Sequence, residues 1–154
     1  MSSGAATLRA AQSPERLQTP LSEVMTRAVV CVRPGEPADK ALRLLVEHAV
    51  NGLPVVDGEG RPIGMLSRGD LLEERLEVLT DGERAGLARV GDLMTAQAVS
   101  LPETASVAEA SELMASYGVH RVPIVDGAGR LVGIVSTLDV LRWLSLGLAP
   151  TPRG

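Results

Sequence analysis

Aromatic residues are almost absent from this chain of 154 residues, which has no Phe, one Tyr and one Trp. Its hydrophobic core must therefore be built from Val, Ile, Leu, Ala and Met. Cysteine is scarce as well. Cys31 is the only one, which excludes an internal disulfide and favours a reducing, cytoplasmic location. Because Cys31 lies in the apolar run Val29–Val32, we expect a small apolar residue in a strand rather than a reactive thiol.

Long apolar runs and basic clusters are missing too. No segment of about 18 uninterrupted apolar residues is present, and the first residues do not have the charged flank and apolar stretch of a signal peptide. We therefore expect no association with a membrane. The chain has 15 basic and 19 acidic residues and a net charge of −4. Without a Lys/Arg cluster, nucleic acid is not an expected partner.

The sequence contains no recognisable catalytic or metal-binding motif. Its two histidines and one cysteine do not have the spacing of metal ligands, so no metal site is predicted. Neither a Gly-x-Ser-x-Gly motif nor a Gly-rich phosphate loop with a Lys is found. A nucleotide hydrolase using Asp70 or Asp139 is disfavoured, because no base, nucleophile or metal cluster accompanies either acid. We predict a protein that is not an enzyme and has no catalytic residue.

What the chain does contain is an internal repeat. The stretch Gly52–Asp70, GLPVVDGEGRPIGMLSRGD, aligns without a gap with Arg121–Asp139, RVPIVDGAGRLVGIVSTLD. The match extends back to Met25-Thr26 and Met94-Thr95, with about 16 identities over roughly 52 positions at an offset of about 69. The predicted boundaries are a flexible N-terminal tail at 1–19, a first repeat at 20–79, a polar linker at 80–89, a second repeat at 90–147 and a C-terminal tail at 148–154.

Each repeat predicts the order β-α-β-β-α. Short apolar runs at Val29–Val32 and Ala98–Leu101 indicate the first strands. In the second repeat, Ser106 and Glu109 are spaced as a capping box at the start of a helix, and Gly118 is placed to end it. Asp-Gly turns between β-branched runs predict a hairpin in each repeat. The fold class is α/β (α+β), with the two repeats packed about a pseudo-twofold axis so that both sheets are covered.

The order of elements and the Gly-x-x-Ser-x-x-Asp pattern before each closing helix resemble the cystathionine β-synthase (CBS) domain pair, also called a Bateman module. The resemblance covers about residues 21 to 146. It is carried by Val24–Thr26, Gly52–Asp57 and Gly64–Asp70 in the first copy, and by Leu93–Thr95, His120–Asp126 and Gly133–Asp139 in the second.

This resemblance implies a stand-alone regulatory module that binds AMP, ADP or ATP in clefts between the two repeats. In the family the Asp holds the ribose hydroxyls and the Ser or Thr hydroxyl meets ribose or phosphate. The adenine is expected to lie against the first strand and the residues before each strand proline. These implied contacts are Ser67, Asp70, Val30, Leu53 and Pro54 in the first repeat, and Ser136, Thr137, Asp139, Val99, Val122 and Pro123 in the second.

Elementary chemistry supports these roles and also offers an alternative to them. A helix N-terminus attracts phosphate, and a carboxylate can accept two hydroxyl hydrogens from a cis-diol. However, Ser67 with Asp70, and Ser136 with Asp139, are also spaced as capping boxes, and capping alone would account for them. Both roles can coexist.

The two repeats differ in charge near the expected site. His120 and Arg121 could place a cation beside a phosphate, whereas the equivalent residues are Asn51 and Gly52. Arg68 could compensate in the first repeat, or it could be a solvated surface residue. We therefore favour the second repeat as the binding site.

The expected partners are a second copy of the chain and an unidentified effector protein. The resemblance implies a homodimer formed through helices, and the apolar residues Leu141, Trp143, Leu144 and Leu148 are consistent with such a face. The alternative function is a structural or protein-interaction module whose clefts are empty.

Overall fold

The structure is a computed structural model that describes residues 14–27, 29–73, 88–96 and 99–150. In these ranges the chain forms short helices and strands in a mixed α+β order, which confirms the predicted fold class. In chain order the elements are helix α1 (Pro14–Leu17), a 3-10 turn (Leu21–Glu23), α2 (Ala38–Glu47), β1 (Gly52–Val56), β2 (Pro62–Ser67), α3 (residues 68–73), α4 (Val90–Leu93), β3 (Thr95–Ala96), β4 (Leu101–Pro102), α5 (Val107–Tyr117), β5 (Arg121–Val125), β6 (Leu131–Ser136) and α6 (Thr137–Leu146).

These elements form two compact units. One, called here the terminal unit, combines residues 14–29 with 99–150; the other, the central unit, comprises residues 30–96, in each case as far as they are described. Of the predicted linker at 80–89, only residues 88 and 89 are described. Of the predicted tails, residues 14–19 and 148–150 are described, and the rest lies outside the described ranges.

The central unit is built on a three-stranded sheet in the order β1-β2-β3, with both pairs antiparallel. Val32 adds a single parallel bridge to Val55, so the strand predicted at Val29–Val32 is reduced to one paired residue. Below the sheet, the apolar face of α2 packs into a core that contains Ala41, Leu45 and Leu53. The core is aliphatic, as the near absence of aromatic residues requires.

The terminal unit has an equivalent sheet in the order β4-β5-β6, with β4 parallel to β5 and β5 antiparallel to β6. The strand predicted at Ala98–Leu101 is therefore shorter and begins later, at Leu101, and Ala98 lies outside the described residues. Val107, Ala110 and Met114 of α5 face the core of this unit.

A segment from one repeat completes the sheet of the other. Thr26, which precedes the first repeat's helix, bridges Ile134 in the second repeat's β6. Thr95 pairs with Met65 in the first repeat's β2. Glycine permits both contacts: a Cβ on Gly64 would lie 2.8 Å from both Met94 Sδ and Thr95 O. At the equivalent Gly133, Met25 is packed still more closely.

The hairpin turns are confirmed and follow one design in both units. Asp57 Oδ1 accepts the N–H groups of Glu59 and Arg61 at 2.8 and 3.0 Å. Asp126 accepts those of Ala128 and Arg130 at 2.9 and 3.0 Å in the same way. Hydrogen bonds from these backbone N–H groups hold the pKa of Asp57 below its usual range. The Asp-Gly motif therefore closes a hairpin in each unit.

The predicted helix ends are also found in the terminal unit. Ser106 Oγ accepts the Glu109 N–H at 3.2 Å at the start of α5, although only this half of the expected reciprocal box is formed. Gly118 and Gly147 end α5 and α6 with φ values of 65°, in the left-handed region that glycine adopts without strain. Among the described residues, none of the helices is both long and apolar enough to cross a membrane.

Candidate functional site

In the terminal unit, the candidate site is centred on the junction of β6 and α6. Ser136 is the N-cap of α6, and its Oγ accepts the N–H of Asp139 at 3.1 Å. The Asp139 Oδ2 atom accepts the Ser136 N–H at 2.9 Å. Because a carboxylate has about four acceptor positions, this bond leaves Asp139 able to accept hydroxyl groups from a ligand. Both residues are half-buried.

Thr137 ties the start of α6 to the start of β5. Its N–H donates to the carbonyl of His120 at 2.9 Å, and its Oγ1 donates to the same carbonyl at 3.3 Å. The Thr137 hydroxyl also lies 3.7 Å from Met114 Sδ. The hydroxyl proton is therefore engaged inside the protein, so Thr137 could offer a ligand only its oxygen lone pairs. Its main contribution here is to hold His120 in place.

The first turn of α6 has little free hydrogen-bonding capacity for an anion. The N–H of Thr137 is bonded to His120 and the N–H of Asp139 to Ser136. Two of the three leading donors of the helix are therefore used within the protein. A phosphate at this position would depend on neighbouring cations more than on the helix N-terminus.

Arg121 is a cation at this junction. It is paired with Ser136 across the β5–β6 ladder and is half-buried. Burial lowers the pKa of Arg121, and the negative charge of Asp139 partly offsets this effect. Within the described part of the chain, the guanidinium forms neither a hydrogen bond nor a salt bridge. The exposed ring of His120 lies beside it in sequence.

Not all of the predicted apolar contacts are available to a ligand. Val122 is fully buried in the core of the terminal unit, at 0% exposure, so its side chain cannot cover an adenine. Pro123 is also buried, and Val99 is half-buried. Of these three predicted residues, Val99 keeps an exposed apolar part, and Val122 and Pro123 could contact an adenine only through their main chain.

The central unit repeats this geometry with different side chains. Ser67 N–H donates to Asp70 Oδ2 at 2.8 Å, and Asp70 N–H donates to Ser67 Oγ at 3.2 Å. The Arg68 N–H donates to the carbonyl of Asn51 at 2.9 Å, as Thr137 does to His120. Arg68 itself is exposed. Asn51 was not singled out for this role in the sequence, although its equivalence to His120 in the repeat could have indicated it.

The apolar residues predicted near Ser67 also differ in whether their side chains are exposed enough to contact a ligand. Leu53 is 1% exposed and belongs to the core, so its side chain is excluded from a site, and Pro54 is buried. Val30 is half-buried and packs at the edge of the core. The predicted contacts of Leu53 and Val122 are therefore restricted to main-chain atoms, because the core occupies their side chains.

The two candidate sites differ chiefly in charge. Where the terminal unit has His120 and Arg121, the central unit has Asn51 and Gly52. Within the described ranges, the cation near this junction is Arg68, on the exposed first turn of α3. In the described residues no group of three or more His, Cys, Asp or Glu side chains is placed to hold a metal ion. The arrangement is suited to hydroxyl and anion recognition.

Comparisons of the chain with a family model, with related sequences and with solved structures agree with one another. The family model described as CBS domain matches residues 21–77 and 90–146. The chain is 35% identical over 120 residues to the CBS domain-containing protein YhcV of Bacillus subtilis, covering 78% of this chain and 81% of that protein. The crystal structure of CBSX2 from Arabidopsis thaliana in complex with AMP is similar to this chain, with a TM-score of 0.68 and 33% sequence identity. The match covers 80% of this chain and 93% of the CBSX2 chain.

Other relatives are much longer than this chain. It is 32% identical over 146 residues to the protein MJ1404 of Methanocaldococcus jannaschii, which corresponds to 89% of this chain but 34% of that relative. It spans 22% of the length of inosine-5'-monophosphate dehydrogenase from the same archaeon. Similarity to these proteins therefore concerns only a part of each.

Proposed function

The chain belongs to the CBS domain family, and from this membership we propose that it is a non-catalytic regulatory module that binds an adenosine nucleotide. The observation that carries the proposal is the placement of Asp139 at the start of α6 and of Arg121 at the start of β5, within electrostatic reach of each other. Asp139 can accept hydroxyl hydrogens. Arg121 is a half-buried cation without a hydrogen-bond or salt-bridge partner in the described residues. A nucleoside phosphate needs these two kinds of group. The similarity to an AMP-bound CBS structure, at 33% identity, supports the same ligand class.

In the proposed complex, Asp139 accepts the ribose hydroxyls. The Ser136 hydroxyl accepts the Asp139 N–H and keeps its own proton to donate to the ribose or phosphate. The Thr137 hydroxyl proton is bonded to the His120 carbonyl, so Thr137 contacts a ribose hydroxyl through its oxygen lone pairs. His120 and Arg121 bind the phosphate. The adenine lies against Val99 and the main chain of β5.

The central unit offers a weaker site of the same kind. Ser67 and Asp70 provide the ribose contacts, and Val30 with the main chain around Pro54 provides the apolar wall. Arg68 is the only cation close to this junction among the described residues, and its exposure weakens its attraction for phosphate because solvent screens the charge. We therefore propose that the terminal unit binds nucleotide more tightly.

We propose that the module signals in two ways, by self-association and by contact with an effector protein. On α6, Leu138 and Leu141 are each 53% exposed, and Leu148 beyond its end is 58% exposed. Exposed leucines along a helix and just beyond its end are suited to burial against a second copy. Trp143 and Leu144, which the sequence placed on this face, pack against the core of the terminal unit instead.

A structural or interaction module with empty sites is the alternative. It is favoured by the capping bonds themselves, because Ser136 with Asp139 and Ser67 with Asp70 already satisfy each other without a ligand. Under this alternative the chain still forms a dimer, but nucleotides do not change its stability.

Thermal unfolding of the full chain with AMP, ADP, ATP or S-adenosylmethionine tests the proposal. A ligand at about 100 times its dissociation constant adds roughly 2.7 kcal/mol to the free energy of unfolding. For a chain of this size, that raises the midpoint by several degrees. A rise with one nucleotide supports the regulatory function and identifies its signal. No shift with any of the four at millimolar concentration would favour the interaction module.

A further inference from the structure

An arm formed by residues 14–19 is attached to the far end of the helix that carries Asp139. The Arg16 guanidinium donates from one Nη atom to the carbonyls of Trp143 and Leu144, both at 3.3 Å. In return, the Trp143 indole N–H contacts the carbonyl of Arg16 and the Thr19 hydroxyl, each at 3.2 Å. The arm and the helix end therefore hold each other through contacts in both directions.

The arm provides what the C-terminal end of α6 lacks. The last turn of α6 has no basic residue of its own, although a cation there is favoured by the helix dipole. Arg16 supplies this charge from another part of the chain. Gly147 leaves the space for it, since a Cβ on that residue would lie 2.8 Å from an Arg16 nitrogen.

The same stretch of chain continues from the arm to the candidate site. The carbonyl of Thr19 accepts the N–H of Val107 at 3.0 Å, and the N–H of Leu21 donates to Ala105 at 2.8 Å. The segment then ends at Thr26, which exchanges two backbone hydrogen bonds with Ile134, at 2.9 and 3.1 Å. Ile134 lies two residues before Ser136 in β6. One continuous segment thus contacts both β6, just before the junction, and the C-terminal end of α6.

We propose that Arg16 is a positioning residue for the binding site of the terminal unit. Docking of the arm fixes α6 from its C-terminal end, and α6, which has ten residues, carries Asp139 at its other end. Arg16 touches no ligand in this arrangement. The inference rests on the proposed nucleotide binding, and it makes arm docking and nucleotide binding mutually favourable, because a coupling between two sites acts equally in both directions.

The chain provides its own reporter for this coupling. Trp143 is the only tryptophan in the sequence, and its indole is bonded to the arm, so its fluorescence reports whether the arm is docked. The experiment uses AMP as the probe with the full chain. Binding is measured by calorimetry and arm docking by Trp143 emission, for wild type, Arg16→Ala, Arg16→Lys and the control Arg142→Ala, which removes an exposed cation from the same helix.

For wild type, we expect a saturable change of emission with the same midpoint as the calorimetric binding curve. Without ligand, Arg16→Ala should shift the emission to longer wavelength as the indole becomes exposed, and should weaken AMP binding by about fivefold or more. Arg16→Lys should recover part of the affinity because it keeps the charge, and Arg142→Ala should behave as wild type. Thr19→Val, which removes the second acceptor of the indole, should act in the direction of Arg16→Ala.

Two results separate this inference from the proposed function. If wild type binds AMP but Arg16→Ala binds it equally well, with unchanged emission, the positioning role of Arg16 is wrong and the proposed function stands. If calorimetry detects no binding to wild type of AMP, or of ADP, ATP or S-adenosylmethionine in its place, the proposed function is wrong and the inference falls with it.

Discussion

Asp139 and Ser136 are joined by two reciprocal hydrogen bonds, of 2.9 Å from the Ser136 N–H to the carboxylate and of 3.1 Å from the Asp139 N–H to the hydroxyl. The same carboxylate is close enough to Arg121 to oppose the lowering of the Arg121 pKa by burial. One acidic side chain therefore stabilises the start of α6 and balances the cation beside it. Its two roles can be separated by substitution.

Asp139→Asn should separate ligand binding from capping. The amide oxygen can still accept the Ser136 N–H, so the stability should fall by less than about 1 kcal/mol, the usual value of a charge at a helix N-terminus. Loss of a charged hydrogen bond to ribose costs about 1.5–3 kcal/mol, which lowers nucleotide affinity roughly tenfold or more. Calorimetry with AMP and thermal unfolding measure the two effects.

Asp70→Asn is the matched variant in the central unit. If the terminal unit binds more tightly, Asp70→Asn should leave the tighter binding step unchanged. An Asp139→Asn protein that is destabilised but binds AMP normally would contradict the assignment of the ribose to Asp139.

Ser136→Ala and Ser106→Ala form a second matched pair. Both serines accept the N–H group three residues ahead, at 3.1 Å in α6 and 3.2 Å in α5. Each substitution should therefore cost about 1 kcal/mol of stability. Only Ser136→Ala should also weaken nucleotide binding, because Ser106 lies at the start of a different helix. Equal loss of affinity in both variants would indicate a purely structural effect.

Gly133→Ala should destabilise the terminal unit. The added Cβ would lie 2.8 Å from Met25 Cγ and 3.1 Å from Thr26 O, and such overpacking costs about 1–3 kcal/mol. Gly127→Ala is the control, since a Cβ there meets no atom within 4 Å. Urea unfolding of both variants gives the comparison. Equal stabilities would show that the segment around Met25 is not packed as described.

Cys31 should react slowly at neutral pH despite its exposed position. Partial burial, and then the charge of Glu36, raise the pKa of Cys31 above 9.0, while Arg33 lowers it. The neutral thiol is favoured in the folded chain, so its contribution to stability is complete below the pKa of the unfolded thiol. It is lost as the pH rises through the higher folded pKa.

The rate of alkylation by iodoacetamide as a function of pH measures this shift. Compared with an unstructured peptide, the folded chain should require a higher pH for the same rate. Glu36→Gln should speed the reaction and Arg33→Gln should slow it. The opposite order of the two variants would overturn the electrostatic explanation.

Leu141→Glu tests the proposed dimer face on α6. A buried carboxylate at a helix–helix interface is costly, so the variant should sediment as a monomer at concentrations where wild type is a dimer. Val46→Glu is the control, because Val46 is 66% exposed on α2. A wild-type chain that is monomeric in analytical ultracentrifugation, or a Leu141→Glu chain that remains a dimer, would contradict the proposed face.

The repeat made most of the fold predictable from the sequence. Two aligned copies indicated the hairpins and the capping boxes, because these depend on residues only a few positions apart. The exchange of Met25-Thr26 and Met94-Thr95 between repeats was not predicted, because periodicity does not reveal which copy a segment pairs with. Gly64 and Gly133 were a usable signal, since glycine inside a strand often marks the close approach of another backbone.

The candidate site was predictable in its polar residues and less so in its apolar ones. Ser136 and Asp139 could be identified from their spacing. Leu53 and Val122 were expected to contact adenine, but a strand pattern alone does not tell which face of the strand is the core. The Arg16 contact joins residues 127 positions apart, and no local pattern could have indicated it.

The exchanged segments also determine the order in which the chain can fold during synthesis. The central unit draws its described residues from 30–96, so its internal pairing partners are present before β4 has been made. Leu21, Val24 and Met25 are made first, yet they are buried by residues from Ala105 onward. These apolar residues must stay without their native neighbours while the central unit is made, which is when a nascent chain is most exposed to misfolding and chaperone binding. Limited proteolysis of a released fragment that ends at residue 98 should therefore cut near Met25 sooner than within the described part of the central unit.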